Sequence, residues 1–391
     1  MKKIVGILAA AAVLATSVFA ADVSAKVKLD GKLLNVDTTK EKDGVSAVSI
    51  GHNTDESWNP VLKMAVSGDN YGASVDIYVG AWDATKMGEW NHGYGLGARE
   101  WNIWFKPIDV LKIQVGRINE NVNQESIDYD TRLWNYDDQW GYKLEFNFSG
   151  FEFNVGFHQG QGEYWFSQAE NGDAVIKGLS VLGAYNADFG RIAAFADFKD
   201  TFETIFVGAG YNNQFGDLRI FADAGFKTAK NYKFALKNKW GNKVTVKDAD
   251  GKDKDVEVTL KDAFFVGGDV DVKYNKDAFG VEAYAKLDML LSYKDRVADF
   301  DNEKENGTAL FFKTKVTYAF DPCTVYFYFK DTNLLSSTFA ADIRLGANGS
   351  VGSATWDVCG KIETGKGGAN NAITAGNKVN FSIPVSFAVA F

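Results

Sequence analysis

Apolar and polar residues alternate with a period of two along most of the chain. Val23, Ala25, Val27 and Leu29 alternate with Ser24, Lys26, Lys28 and Asp30. Ala73, Val75, Ile77 and Val79 are spaced by Ser74, Asp76 and Tyr78. Trp140, Tyr142, Leu144, Phe146 and Phe148 are spaced by Gly141, Lys143, Glu145 and Asn147, and the pattern returns at Phe151–Phe157, Val281–Met289 and Leu310–Tyr318. This period belongs to a strand with two unlike faces. Its most regular instance is Lys378 to Phe391, where Val379, Phe381, Ile383, Val385, Phe387, Val389 and Phe391 share one face. Only the first twenty residues depart from it convincingly.

Connections between these stretches alternate between short and long. Turn chemistry near 68–70, 107–108, 149–150, 188–189, 214–216, 275–278, 321–322 and 347–351 predicts tight reversals. Long connections are predicted at 37–60, 81–99, 119–138, 160–177, 228–261, 291–308 and 364–377, with shorter ones near 200–202 and 331–337. Eight turns and nine loops imply eighteen strands, with sixteen as the alternative. Val45 to Ile50 is either an extra strand or part of the first loop, and Val244–Val246 with Val256–Val258 is expected to form a hairpin that merely extends a loop. Stacked sheets would hide their apolar faces against one another. Here nearly every strand is one-sided in the same sense, with charges on the other side. The expected fold is therefore all-β, a transmembrane antiparallel β-barrel with its apolar face toward lipid and its charged face around a wet interior.

Met1 to Ala20 has the form of a cleavable export signal: Lys2 and Lys3, an apolar run from Ile4 to Leu14, then Val18-Phe19-Ala20. Residues 21–391 are then one barrel domain. Loss of two lysines takes the net charge from −9 to −11, which with no basic cluster argues against nucleic-acid binding. The 30 Phe, 16 Tyr, 10 Trp and 39 Gly beside only 4 Pro suit long strands and disfavour disorder. Cys323 shares the face of Val325 and Phe327, whereas Cys359 lies with Asp357 and Lys361. On opposite sides of a wall they are expected to stay free thiols. Pro384, in mid-strand, should demand a bulge or a non-bonded position, and the strand holding it should close against Val23 to Leu29.

The closing amphipathic strand, the repeated one-sided strands and the short-turn, long-loop alternation resemble those of bacterial outer-membrane β-barrels. Trp101 to Ile118, read as two strands around a tight Lys106-Pro107 turn with Gly116-Arg117 closing the second, resembles the interior of a porin of the general diffusion type. The resemblance implies residence in the outer membrane among its lipids. It also implies recognition of the terminal Phe391 by the barrel-assembly machinery, a homotrimer, and passive diffusion of ions and small hydrophilic solutes. In such porins the loop after the fifth strand narrows the pore. Here that loop is 119–138, with Glu120, Glu125, Asp128, Asp130, Asp137 and Asp138 against Arg132, a net −5. If it enters the lumen, cations should be preferred. The alternative is an acidic, solvated surface loop.

Strand parity assigns Lys112, Lys143, Glu145, Glu152, Arg191, Lys199, Arg219, Asp269, Asp271, Glu282, Lys286, Lys313, Lys315, Asp342, Arg344, Asp357 and Lys361 to the lumen, together with the aromatics Tyr78, Trp104, Tyr284, Tyr326 and Tyr328. The aromatics suit a sugar-selective path, interior struts or interfacial girdles. Barrel enzymes need activated neighbours that His52, His92 and His158 lack, so no catalytic residue is expected. The acids from Asp248 to Asp255 miss calcium-loop spacing, and no cofactor or metal is expected. The alternative function is a surface adhesin or structural coat protein on a barrel scaffold, for which the loop 228–261 speaks.

Overall fold

The computed structural model describes residues 22–37, 45–50, 61–81, 94–121, 135–158, 178–199, 202–235, 245–248, 251–293, 307–331, 334–335, 341–364 and 379–390. Residues 1–20, expected to be an export signal, and Phe391 lie outside them. The strands are β1 (Asp22–Asp37), β2 (Val45–Ile50), β3 (Val61–Ser67), β4 (Tyr71–Ala81), β5 (Tyr94–Ile108), β6 (Leu111–Asn121), β7 (Asn135–Phe148), β8 (Phe151–His158), β9 (Gly178–Ala187), β10 (Gly190–Lys199), β11 (Thr204–Phe215), β12 (Leu218–Ala235), β13 (Thr245–Lys247), β14 (Asp253–Asp255), β15 (Glu257–Lys276), β16 (Phe279–Leu290), β17 (Thr308–Phe320), β18 (Cys323–Asp331), β19 (Ala341–Val351), β20 (Ala354–Thr364) and β21 (Val379–Ala390).

Among the described residues nineteen strands form one sheet, and β13 and β14 form a separate hairpin. Every neighbouring pair in the sheet is antiparallel, and β21 pairs with β1 from Ala390↔Lys26 to Asn380↔Asp37, which closes the ring. On its other edge β1 pairs with β2 over Gly31–Val36 and with β3 over Asp22–Lys28. Thus β2 and β3 are two pieces of one interrupted strand, and nineteen strands occupy eighteen positions. At a spacing of about 4.8 Å and a tilt of about 40°, such a ring is roughly 36 Å across between backbones. That is wide enough for a channel after both inner walls have taken their side chains.

Each tight reversal falls where a turn was expected or within a few residues of it. One displacement is at Lys106-Pro107, expected as a turn. There β5 continues to Ile108 and reverses at Asp109-Val110. Pro107 has no N–H for the ladder, and the β5–β6 register slips between Phe105 and Ile108. The proline makes a bulge instead of a turn. Gly116 does not close β6 either. It sits inside the strand at φ 114°, where a Cβ would lie 2.3 Å from the Trp101 carbonyl oxygen. The last reversal lies at 352–353, past the expected 347–351, because β19 runs on to Val351. Loop bounds shrink for the same reason: strands outrun their alternating cores. β5 starts at Tyr94, β6 and β7 reach Asn121 and Asn135, β12 extends to Ala235 and β15 begins at Glu257. The hairpin pairs Thr245–Lys247 with Asp253–Asp255, so Val256–Val258 leads into β15.

Pro384 acts across the ladder. Opposite it, β1 inserts Leu33 as an extra residue between the pairs Lys32↔Pro384 and Leu34↔Ile383. On the β20 side no pairs form between Val358↔Val385 and Lys361↔Ser382. The bulge thus lies in the partner strand. The partner of β21 is Lys26–Asp37, displaced from the expected Val23–Leu29 because Asp22–Lys28 is engaged by β3.

Burial is inverted relative to a soluble protein. Lys143, Glu152, Arg191, Asp197, Lys199, Asp271, Asp342, Lys361 and Glu363 are buried, while Ile103, Ile192, Phe327 and Leu345 are 53, 49, 42 and 70 % exposed. In a closed ring the concave face is the shielded one, so the charged face is inside. Apolar exposure right around the ring far exceeds the isolated patches of a water-soluble surface and suits a hydrocarbon surround. The two thiols are free, Cys359 buried on the inner face and Cys323 half-buried.

Candidate functional site

The inner wall is the candidate site, and the ladders set its layout. Residues facing each other across neighbouring strands share a face, so inward residues form rows around the barrel. One row reads Phe221, Asp271, Tyr284, Lys313, Lys330, Asp342 and Glu363 from β12 to β20. The next, toward the short turns, reads Arg219, Lys273, Glu282, Lys315, Tyr328, Arg344, Lys361 and Ser382.

Charges in these rows are mostly matched at close range. Glu145 accepts from Lys143 at 2.7 Å and from Lys112 at 2.9 Å. Glu152 accepts from Arg191 at 3.0 Å through one oxygen and from Asn154 Nδ2 at 2.8 Å through the other. Arg344 grips Asp342 with two bonds of 2.9 and 2.6 Å, and Lys361 lies 2.7 Å from Glu363 and 3.6 Å from Asp342. Lys286 pairs with Asp288 at 3.1 Å, and Lys273 approaches Glu282 at 3.9 Å. Tyr284 is buried, donating to Asp269 Oδ2 at 3.1 Å. Ion pairs this dense cost several kcal/mol per ion in a dry interior. Only hydration of the bore would remove most of that cost.

Two cations depart from the pattern. Lys315 and Lys330 have no carboxylate within 4 Å among the described residues. Their ammonium groups lie over aromatic rings instead, Lys315 4.9 Å from Tyr326 and Lys330 5.3 Å from Phe311. Lys330 also faces Lys313 directly across the ladder, an arrangement of like charges that destabilises a sheet. Lys313 and Arg344 both flank the ring of Tyr328, at 5.8 and 4.9 Å. From β16 to β20 the wall holds six bases (Lys286, Lys313, Lys315, Lys330, Arg344 and Lys361) against five acids (Glu282, Asp288, Asp342, Asp357 and Glu363).

The seventeen charged residues assigned to the lumen by parity share the shielded face of the ladder, nine of them buried: Lys143, Glu152, Arg191, Lys199, Asp269, Asp271, Lys313, Asp342 and Lys361. Of the aromatics, Tyr284, Tyr326, Tyr328 and Trp104 are inside. Trp104 lies flat across Gly72, where a Cβ would be 2.4 Å from its Nε1. The Tyr78 side chain is outside the described residues. The acidic segment is divided: Glu120 belongs to β6, opposite Tyr136, and Asp137 and Asp138 belong to β7. They were assigned to the loop because the apolar alternation stops before the ladder does. Glu125, Asp128, Asp130 and Arg132 lie outside the described residues, as do His52 and His92. Sequence reasoning missed the apolar part of the inner wall, where Leu182, Ala184, Ala193 and Phe195 pack with Phe206. The double-sided apolar runs in β9 and β10 were its signal.

A closed antiparallel barrel with a charged inner wall and an apolar outer wall is a membrane-spanning barrel by construction. No family model matches the sequence, and no curated protein does. Similar solved structures include OmpT, an outer membrane protein of Vibrio cholerae in its trimer form (15 % identity, TM-score 0.48, 95 % of this chain and 99 % of that one). Others are the outer membrane protein opdK of Pseudomonas aeruginosa (10 %, 0.46, 95 % and 99 %) and a triple mutant of Rhodopseudomonas blastica porin (12 %, 0.43, 94 % and 100 %). At these scores the likenesses carry no argument about function.

Proposed function

We propose that this chain is an outer-membrane porin, exported through a cleaved signal, that lets ions and small hydrophilic solutes diffuse passively through its lumen. One observation carries the reading: an eighteen-position closed ring whose inner wall is laid with matched charges that need hydration. The protein is not an enzyme on this reading. It works as a homotrimer among outer-membrane lipids, with its short turns toward the periplasm.

Two opposed groups set ion preference. The acids Glu125, Asp128 and Asp130 favour cations where they border the lumen, and Lys315 and Lys330 favour anions. Planar-bilayer recording tests both statements. Steady, large, ohmic channels are expected from purified protein, and folded protein without channels would sink the reading. Neutralising the three acids should shift the reversal potential in a salt gradient toward anions; an unchanged potential would place them outside the pore.

A second reading, a surface-binding role, is favoured by the β12–β15 arm. Its ladder runs to Ala235↔Glu257, well beyond the end of β11, and carries the β13–β14 hairpin. Deleting 236–256 should leave conductance intact, and a lost channel would tie that arm to the pore instead.

A further inference from the structure

We propose that the short-turn end of the lumen carries a recess for a neutral polyhydroxylated solute, a sugar or sugar alcohol. The inference rests on the porin reading and adds a solute class to it. A cavity of about 730 Å³ opens there, between the β17–β18 reversal and the adjoining ends of β19, β20 and β21. Its inward-facing lining is Thr324, Asn348, Ser350, Thr355, Asp357 and Ser386. Their direction follows from parity: Thr324 with Tyr326, Asn348 and Ser350 with Arg344, Thr355 and Asp357 with Cys359, and Ser386 with Ser382.

The chemistry of this lining differs from that of the wall above it. Neither Lys nor Arg borders the recess, so an anion finds no counter-charge there. Asp321 and Asp357 are its only carboxylates, and among the described residues no group of three or more His, Cys, Asp or Glu is placed to hold a metal ion. Its polar groups include four hydroxyls, one amide and two carboxylates, beside the apolar Phe320, Pro322 and Trp356 and the thiol of Cys323. Each sugar hydroxyl must both donate and accept when it leaves water. This mixture supplies both roles, with carboxylates and the amide oxygen accepting and the amide N–H and hydroxyls donating. The volume lies within the ~300–1,000 Å³ range of small-molecule sites.

Asp357 is held in advance. Tyr326 donates its hydroxyl to Asp357 Oδ1 at 2.9 Å, leaving Oδ2 to accept. The Tyr326 ring reaches this position because residue 346 is glycine; a Cβ there would sit 2.7 Å from Tyr326 Cζ and 2.5 Å from Cys359 Cβ. A charge fixed before binding costs the complex less ordering.

Isothermal titration calorimetry of the purified protein, with glucose and maltose as probes, tests the proposal. Saturable heats with a dissociation constant of roughly millimolar order are expected for at least one sugar. Asp357→Ala, and separately the double variant Asn348→Ala with Ser386→Ala, should weaken binding at least fivefold, while Leu345→Ala, on the outer face, leaves it unchanged. Channel conductance in KCl, recorded on the same preparations and expected within twofold of the parent, shows that each variant folds and opens. Normal channels with only linear, non-saturating heats would overturn the recess, as would binding indifferent to both sets of substitutions. Saturable succinate binding that depends on this lining would overturn the neutral solute class. Saturable sugar heats without any channel would overturn the porin reading and leave the recess standing.

Discussion

The inner walls of β9–β12 and of β16–β20 obey the same alternation and differ in chemistry. On β9–β12 Leu182, Ala184, Ala193, Phe195, Phe206 and Phe221 point inward together with Gly208 and Gly210, and Arg191, Asp197, Lys199, Arg219, Asp223 and Lys227 stand beside them. Leu182 is 0 % exposed and Phe195 4 %. On β16–β20 the same parity presents Lys286, Lys313, Lys315, Lys330, Arg344 and Lys361 with their acids. One sector is packed against itself, as a core would be. The other is a lattice of charges in which two lysines lack a carboxylate among the described residues. The ladder that sets the shape is indifferent to which is used. Shape therefore comes from the backbone and from the apolar residues, and fixed charge is densest on β16–β20.

Substitutions can break this division, beginning with the strongest. Phe195→Ala should destabilise the barrel by about 3–5 kcal/mol, since a buried ring leaves a cavity behind, and leave conductance within twofold. Urea unfolding in vesicles measures the first and bilayer recording the second; a large conductance change would show that the apolar sector borders the conduction path. Leu345→Arg, on the outer face of the charged sector, should cost about 2–4 kcal/mol in lipid, the depth-dependent penalty for a base facing hydrocarbon. A cost near zero would mean that this face meets water or protein. The pair Lys313→Glu and Lys330→Glu should raise the cation-to-anion permeability ratio several-fold, read as a shift in reversal potential. Smallest of all, Lys330→Met should stabilise the fold by ~0.2–1 kcal/mol by relieving its opposition to Lys313, while lowering anion permeability.

Much of this was legible in the alternation. Period two with a uniform sense marks one closed sheet, and counting reversals arrives at eighteen positions even though Val45–Ile50 proved to be half of an interrupted strand. Parity also placed Lys112, Arg191 and Arg344 on the inner face. Proline was harder to read. Pro107 carries the chemistry of a turn but produces a bulge, and the bulge owed to Pro384 falls on Leu33 in the neighbouring strand. A one-chain pattern holds no information on which of two paired strands absorbs an extra residue. Strand ends were misplaced where polar residues stay in the ladder above the apolar band, as at Glu120, Asp137 and Asp138. The apolar sector escaped notice because Leu182 and Phe195 are apolar on a face expected to be polar. The contact of Tyr326 with Asp357 depends on a glycine twenty residues from one and eleven from the other, and only the three-dimensional register brings them together.

Cysteine accessibility tests the central claim, that the charged face bounds a water-filled path and the apolar face does not. With Cys323 and Cys359 replaced by serine, Lys315→Cys and Leu345→Cys place one thiol on each face of the charged sector. A charged, water-soluble methanethiosulfonate added during bilayer recording should change the current through Lys315→Cys channels within seconds and leave Leu345→Cys channels untouched. A current that responds at residue 345 and not at residue 315 would contradict the account.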